Sequence, residues 1–197
     1  MTATQKLMTA EELARTSVPG KVLELVRGHL VVREPPSTFH GVVTANLTIE
    51  LGAFVRKEKL GLVSAQGTGF KIDRDPDTVR GPDLAFVSRE LLERIPEVGY
   101  AELAPDLIVE LLSPNDRPGE ALAKIGDFLA AGTRLAWLLD PRRREARIFR
   151  ADGSVTVIGA DGALDGEDVV PGFSCPLAAV LTAESSGGEL EEGERWT

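Results

Sequence analysis

Cysteine occurs once in these 197 residues, at Cys175, and histidine only twice, at His29 and His40. No internal disulfide can form, and a Cys/His zinc site lacks its ligands. Long apolar runs are missing too. The compact apolar stretches, such as Leu135 to Leu139, have the length of a strand, far short of the ~18 residues a membrane span needs. Residues 1–20 carry no continuous apolar segment of the signal-peptide kind. The expectation is a soluble cytoplasmic protein with no membrane partner.

Positive charge is in deficit: 22 Lys and Arg stand against 31 Asp and Glu, for a net charge of −9. Non-specific nucleic-acid binding rests on cations that displace condensed counterions, so an acidic chain starts at a disadvantage with DNA. Two features weaken that objection. The segment from Ala183 onward contributes −4, through Glu184, Glu189, Glu191, Glu192 and Glu194 against Arg195, which leaves −5 for the rest. A cluster of carboxylates that binds metal also counts as negative until the metal arrives.

What is present is the composition of an ordinary globular domain, 43% hydrophobic and 27% charged. One domain is expected over residues 1–182, followed by an acidic, disordered tail over 183–197. Thr9 to Glu12 has the pattern of a capping box opening a short helix. Val22–Val26 and Leu30–Arg33 form a hairpin around Arg27, Gly28 and His29. Phe39, Val43, Leu47, Leu51 and Val55 fall four apart, one stripe of a long amphipathic helix capped by Ser37. Leu62 to Ile72 reads as one strand with a glycine bulge. Asp83–Val87 and Asp106–Leu112 read as strands buried on both faces, with a short helix at Leu91–Arg94 between them. Asn115 or Asp116 then caps a helix over 118–131 that stops at Gly132. Leu135–Leu139 is a buried strand, Ala146–Arg150 and Ser154–Ile158 a hairpin, and Leu177–Leu181 a small helix. The alternation implies an α/β fold, a mixed central β-sheet flanked by helices, with an N-terminal hairpin and small C-terminal strands.

Glu110 is the most informative residue. It sits inside Leu107-Ile-Val-Glu-Leu-Leu112 with apolar neighbours on both sides. An ionised carboxylate buried alone costs several kcal/mol, so it must be protonated, paired or bound to a metal. Asp83 opens the other apolar strand. If the two strands run antiparallel, both carboxylates reach the same end of the sheet, an oxygen donor set suited to Mg²⁺ or Mn²⁺. Asp106 also follows a proline but lies about 13 Å away along an extended strand. Lys124 falls at the border of the apolar stripe of the next helix, where its stem can lie along the sheet and its ammonium reach the strand ends. There it could stabilise charge on a phosphate or orient water. The alternative is structural: Glu110 and Lys124 as a buried ion pair, with Asp83 capping a turn. Glu24 alternates with apolar residues and faces either solvent or the site. His29 and His40 read as surface histidines, and Arg142, Arg143 and Arg144 as a solvated turn.

Four stretches are similar to the Uma2 family: Leu23 to Leu30, Arg80-Gly-Pro-Asp-Leu-Ala-Phe-Val87, Ala104 through Pro114, and Lys124 through Trp137-Leu-Leu-Asp-Pro141. In order and spacing they cover roughly residues 10 to 181. The resemblance implies a restriction-endonuclease-like fold of the PD-(D/E)XK nuclease superfamily, with Pro82-Asp83 matching its PD and Glu110 its second acidic residue. The lysine expected two residues after that glutamate is Leu112 here, and Lys124 matches a lysine the family carries on the following helix. Phe128 stands where the family has a tyrosine. Glu24 matches a glutamate of the N-terminal strand that completes the acidic cluster. The implied activity is Mg²⁺- or Mn²⁺-dependent hydrolysis of phosphodiester bonds, with DNA as partner and a homodimer as the expected assembly. Two alternatives stay open: a non-catalytic DNA-binding or regulatory module, and a metal-dependent hydrolase of another phosphorylated substrate.

Overall fold

The structure, a computed structural model, describes residues 6–113 and 118–182. The expected caps at Asn115 and Asp116 and the acidic tail lie outside the described residues. Helix α1 (Ala10–Ala14) opens on the predicted capping box, Thr9 and Glu12 each accepting from the other's backbone N–H. Strands β1 (Val22–Val26) and β2 (His29–Arg33) follow as an antiparallel pair. Arg27 and Gly28 both take positive φ, 49° and 77°, the backbone of a two-residue turn whose twist matches its strands. Ser37 caps α2 (Thr38–Glu58) by accepting from the His40 N–H.

The predicted strand over Leu62–Ile72 is two strands in different sheets, β3 (Gly61–Ala65) and β4 (Phe70–Asp73). Residues 66–69 carry the chain from one sheet to the other. Gly69 permits this passage because a Cβ there would lie 2.7 Å from the Tyr100 ring. Next come β5 (Thr78–Arg80), unforeseen in the sequence, and β6 (Leu84–Ser88). A 3-10 turn over Arg89–Arg94 takes the place of the expected short helix. Then follow β7 (Leu107–Leu111), α3 (Pro118–Ala130), β8 (Leu135–Asp140), β9 (Glu145–Arg150), β10 (Val155–Ile158), β11 (Ala163–Asp165), β12 (Ser174–Pro176) and α4 (Leu177–Leu181).

Six strands form a mixed sheet in the order β10-β9-β8-β7-β6-β3. β7 and β8 are parallel and α3 connects them, whereas the other neighbours are antiparallel. A second, antiparallel sheet has the order β2-β1-β5-β4. The six-stranded sheet is covered on both faces, which explains its nearly unbroken apolar strands. On one face Val43, Leu47, Leu51 and Val55 of α2 pack with Leu84, Phe86, Leu107, Val109, Leu111 and Trp137. On the other, Ile125 and Phe128 of α3 pack with Ala85, Val87, Ile108, Ala136 and Leu138. Burying each such large apolar side chain stabilises the fold by ~1.5–3 kcal/mol. The alternation along β7 therefore points Glu110 to the α3 side, near the C-terminal end of the strand.

Candidate active site

Leu107, Val109 and Leu111 belong to the α2 core, and Ile108 to the α3 core. Glu110 follows Ile108 on the α3 side, where a hydrophobe in its place would have met the first turns of the helix. What it meets is Lys124. The Lys124 Nζ lies 2.8 Å from Glu110 Oε1 and 3.1 Å from Oε2, and both residues are 7% exposed. Only Oε2 receives an aligned hydrogen bond; Oε1 is buried without one among the described residues. Lys124 also donates to the Gly81 carbonyl at 2.6 Å.

Asp83 sits just ahead of β6, where Gly81 and Pro82 bend the chain. Its N–H donates to Val109 O at 3.1 Å, and its Oδ2 accepts the Leu111 N–H at 2.8 Å. Asp83 is thus tied to the residue on each side of Glu110, as expected of antiparallel β6 and β7. Gln66 Nε2 donates to Oδ1 at 3.1 Å, and His40 Nε2 lies 3.2 Å from Oδ2. Asp83, Glu110, Lys124, Glu24, His40 and Gln66 all line one cleft of about 630 Å³.

Glu24 does not face solvent. It is 2% exposed and accepts from Arg80 Nη1 at 3.1 Å, Arg33 Nε at 3.0 Å and the Gly81 N–H at 3.0 Å. Lys124 Nζ is 3.3 Å from Oε1, the oxygen that also takes the Gly81 N–H. Arg80 in turn pairs with Asp127 of α3 at 2.6 Å. Glu24 is therefore surrounded by donors, and its geometry is that of an anchor for Lys124.

These surroundings separate the two glutamates. Burial pushes the Glu110 carboxyl up to about 8; Lys124 opposes the rise, and the charges of Asp83 and Glu24 add to it. Burial acts the same way on Glu24, but Lys124, Arg80, the Gly81 N–H and Arg33 overcome it and hold the group at about 2. Burial disfavours the Lys124 ammonium, yet Glu110, Glu24 and Asp83 keep it above the usual lysine range. At neutral pH the site combines a fixed cation, a fixed anion and a carboxyl poised near its titration point.

The structure brings together Asp83, Glu110, Lys124 and Glu24, and sets Asp106 apart, where it accepts the Ser88 N–H at 2.8 Å. His29 is exposed, as expected. His40 corrects the surface reading: it is 5% exposed, whereas Phe39, assigned to the apolar stripe, is 44% exposed. The available signal was spacing, because His40 stands three residues before Val43 and so shares its face. Arg80, inside a strand of three residues, gave no such signal.

The sequence profile of the Uma2 family, described as "Putative restriction endonuclease", matches residues 10–179. The chain belongs to the Uma2 family. Among solved structures, one from Anabaena variabilis is described as "a putative nuclease belonging to DUF820". It superposes with a TM-score of 0.75 at 18% identity, covering 88% of this chain and 97% of that one. That likeness shows that this Uma2 chain shares the fold of that structure, a mixed central sheet flanked by helices. No curated protein matches it.

Among the described residues no group of three or more His, Cys, Asp or Glu is placed to hold a metal together. Magnesium needs less, since it binds through one or two carboxylates and keeps several waters. Asp83 and Glu110 supply hard oxygen donors on one cleft, the donor chemistry that Mg²⁺ takes. The residues present fit such an ion.

Proposed function

We propose that this Uma2 protein is a divalent-metal-dependent nuclease that hydrolyses phosphodiester bonds in nucleic acid. The observation that carries the reading is the convergence of Lys124, from the helix after β7, on a buried glutamate flanked by Asp83. A purely structural ion pair would not require a second carboxyl-bearing residue bonded on both sides of Glu110, nor an open cleft beside it. Asp83 and Glu110 would hold Mg²⁺ or Mn²⁺, which supplies Lewis-acid polarisation of the phosphate.

The rest of the chemistry belongs to the chain. Hydrolysis joins a water oxygen to phosphorus and breaks a phosphorus–ester bond, so negative charge grows on the phosphate oxygens. Lys124, kept cationic by Glu24 and Glu110, is a preorganised positive charge for that transition state. Glu24 and the Gly81 carbonyl fix where its ammonium sits. Leu112, in the place of the superfamily's lysine, is half-buried against the α3 core, so Lys124 reaches the site from the helix instead.

The test is nicking of supercoiled plasmid with Mg²⁺ or Mn²⁺ by the wild type, Glu110→Gln and Lys124→Met, with a chelator as control. The expected result is metal-dependent nicking that falls by at least about a hundredfold in both variants, the size of effect seen when one transition-state contact is removed. Equal cleavage by all three proteins would place the activity elsewhere. A wild type that neither cuts nucleic acid nor binds Mn²⁺ would leave the cluster a structural ion pair.

A further inference from the structure

Three features outside the proposed chemistry carry chemical information. Tyr100 lines the cleft but packs against the Val79 core, and the turn Arg142–Arg144 is exposed charge. His40 is buried and touches the candidate metal ligand itself. We infer that His40 is a positioning residue for Asp83: through Nε2 it fixes the carboxylate so that the coordinating lone pair left open is on Oδ1. This rests on the proposed metal site.

An ionised carboxylate offers about four acceptor positions, two on each oxygen. On Asp83, Oδ2 takes the Leu111 N–H at 2.8 Å and His40 Nε2 at 3.2 Å, which fills it. Among the described residues Oδ1 takes Gln66 Nε2 alone, at 3.1 Å, and keeps one position. Without His40 the carboxylate would keep one bond on each oxygen, from Leu111 and from the side chain of Gln66, and could still turn as the Gln66 side chain moves. A second donor on the same oxygen, coming from α2, stops the rotation.

The imidazole is itself oriented. Thr44, one turn further along α2, places Oγ1 3.4 Å from His40 Nδ1. A carboxylate oxygen facing Nε2 accepts from an N–H on that nitrogen, and with the ring proton there Nδ1 is the acceptor for the Thr44 hydroxyl. The ring enters from a rigid element, since Ser37 caps the helix at the His40 N–H. Chain packing gives no reason for a histidine here, because the neighbouring positions on that face are Val43 and Leu47, both in the apolar core. Partners of this kind typically alter metal affinity 10- to 100-fold when removed.

The experiment is Mn²⁺ titration calorimetry on the full chain, with circular dichroism to verify folding, for the wild type, Glu110→Gln, His40→Leu, His40→Gln and His40→Asn. Glutamine keeps a donor at the distance of Nε2, and asparagine keeps one only at the distance of Nδ1. The expected result is Mn²⁺ affinity at least ~10-fold weaker in His40→Leu and His40→Asn, and within about threefold of wild type in His40→Gln. Should His40→Leu not fold, the contrast between glutamine and asparagine decides alone. Wild-type affinity in both His40→Leu and His40→Asn, with binding lost in Glu110→Gln, overturns the role of His40 and leaves the metal site standing. Equal weakening in glutamine and asparagine also overturns it. No Mn²⁺ binding by the wild type removes the metal site and this role together.

Discussion

Glu24 and Glu110 show how one residue type acquires opposite properties within a few ångströms. Both are buried, so desolvation acts alike on each; three cations and a backbone N–H surround Glu24, while among the described residues Glu110 has Lys124 as its one cation and two carboxylates beside it. For Glu24 the folded-state value of about 2 lies below the ordinary 4.5. A depressed carboxyl stabilises the fold fully above the unfolded-state value, and that contribution is lost as pH falls from 4.5 through 2. The difference corresponds to a stabilisation on the order of 3 kcal/mol. Glu24→Gln is thus expected to lower the urea midpoint markedly at pH 7, since it also leaves Arg80 and Lys124 buried with less compensation. The gap between variant and wild type should narrow at pH 3. A gap that stays constant across that range would mean that shape, and not charge, makes Glu24 important. Glu110 was legible in the sequence because a charge amid Leu, Ile and Val contradicts its surroundings. Glu24 was ambiguous because alternation in Val22–Val26 suits a solvent-facing strand equally well, and only the pairing of β1 with β5 encloses it.

At the scale of elements, periodicity located α2, α3, β6, β7 and β8 because each buries a regular face. It failed between β3 and β4, where Gln66-Gly-Thr-Gly69, read as a bulge within one strand, carries the chain from one sheet to another and no charge marks the crossing. Strand β5 escaped for a related reason: three residues are too few to show a period, and its place in the sheet depends on β1, some fifty residues earlier, as well as on its hairpin partner β4. The edge strand β3 makes a specific prediction. Gly61 faces Ser88 in the ladder with β6, and a Cβ at Gly61 would stand 2.1 Å from the Val87 carbonyl oxygen. Backbone cannot yield as a flexible side chain would, so the strand end must move away. Gly61→Ala is expected to cost ~1–3 kcal/mol, as overpacking commonly does. In a chain of this size that corresponds to a fall in Tm of roughly 2–12 °C, readable by thermal denaturation. An unchanged Tm would show that β3 is free to shift along its partner.

On the scale of the whole molecule, the net charge of −9 remains the strongest physical argument against a nucleic-acid substrate, and the sheet topology answers it locally. β7 and β8 run parallel with Glu110 beside Leu138, so the turn after β8 leaves the sheet at the end where the cleft opens. That turn carries Arg142, Arg143 and Arg144, all exposed. Arg143 is held only loosely, 3.8 Å from Asp140 and 3.7 Å from Glu145. Exposed pairs of this kind contribute little to stability, which leaves the turn's charge available to a phosphate backbone crossing the cleft. Each phosphate neutralised on duplex DNA adds about 0.9 to the slope of log affinity against log salt. Replacing all three arginines by glutamine is therefore expected to weaken DNA binding, measured in Ca²⁺ to prevent cleavage, and to flatten that slope by about 2 to 3. Folding should be unaffected, because no buried contact is lost. If the slope is unchanged, the backbone approaches from another face, and the acidic surface near the cleft mouth, Glu34 and Glu120, must be screened by the metal or by a second subunit before DNA can reach Lys124.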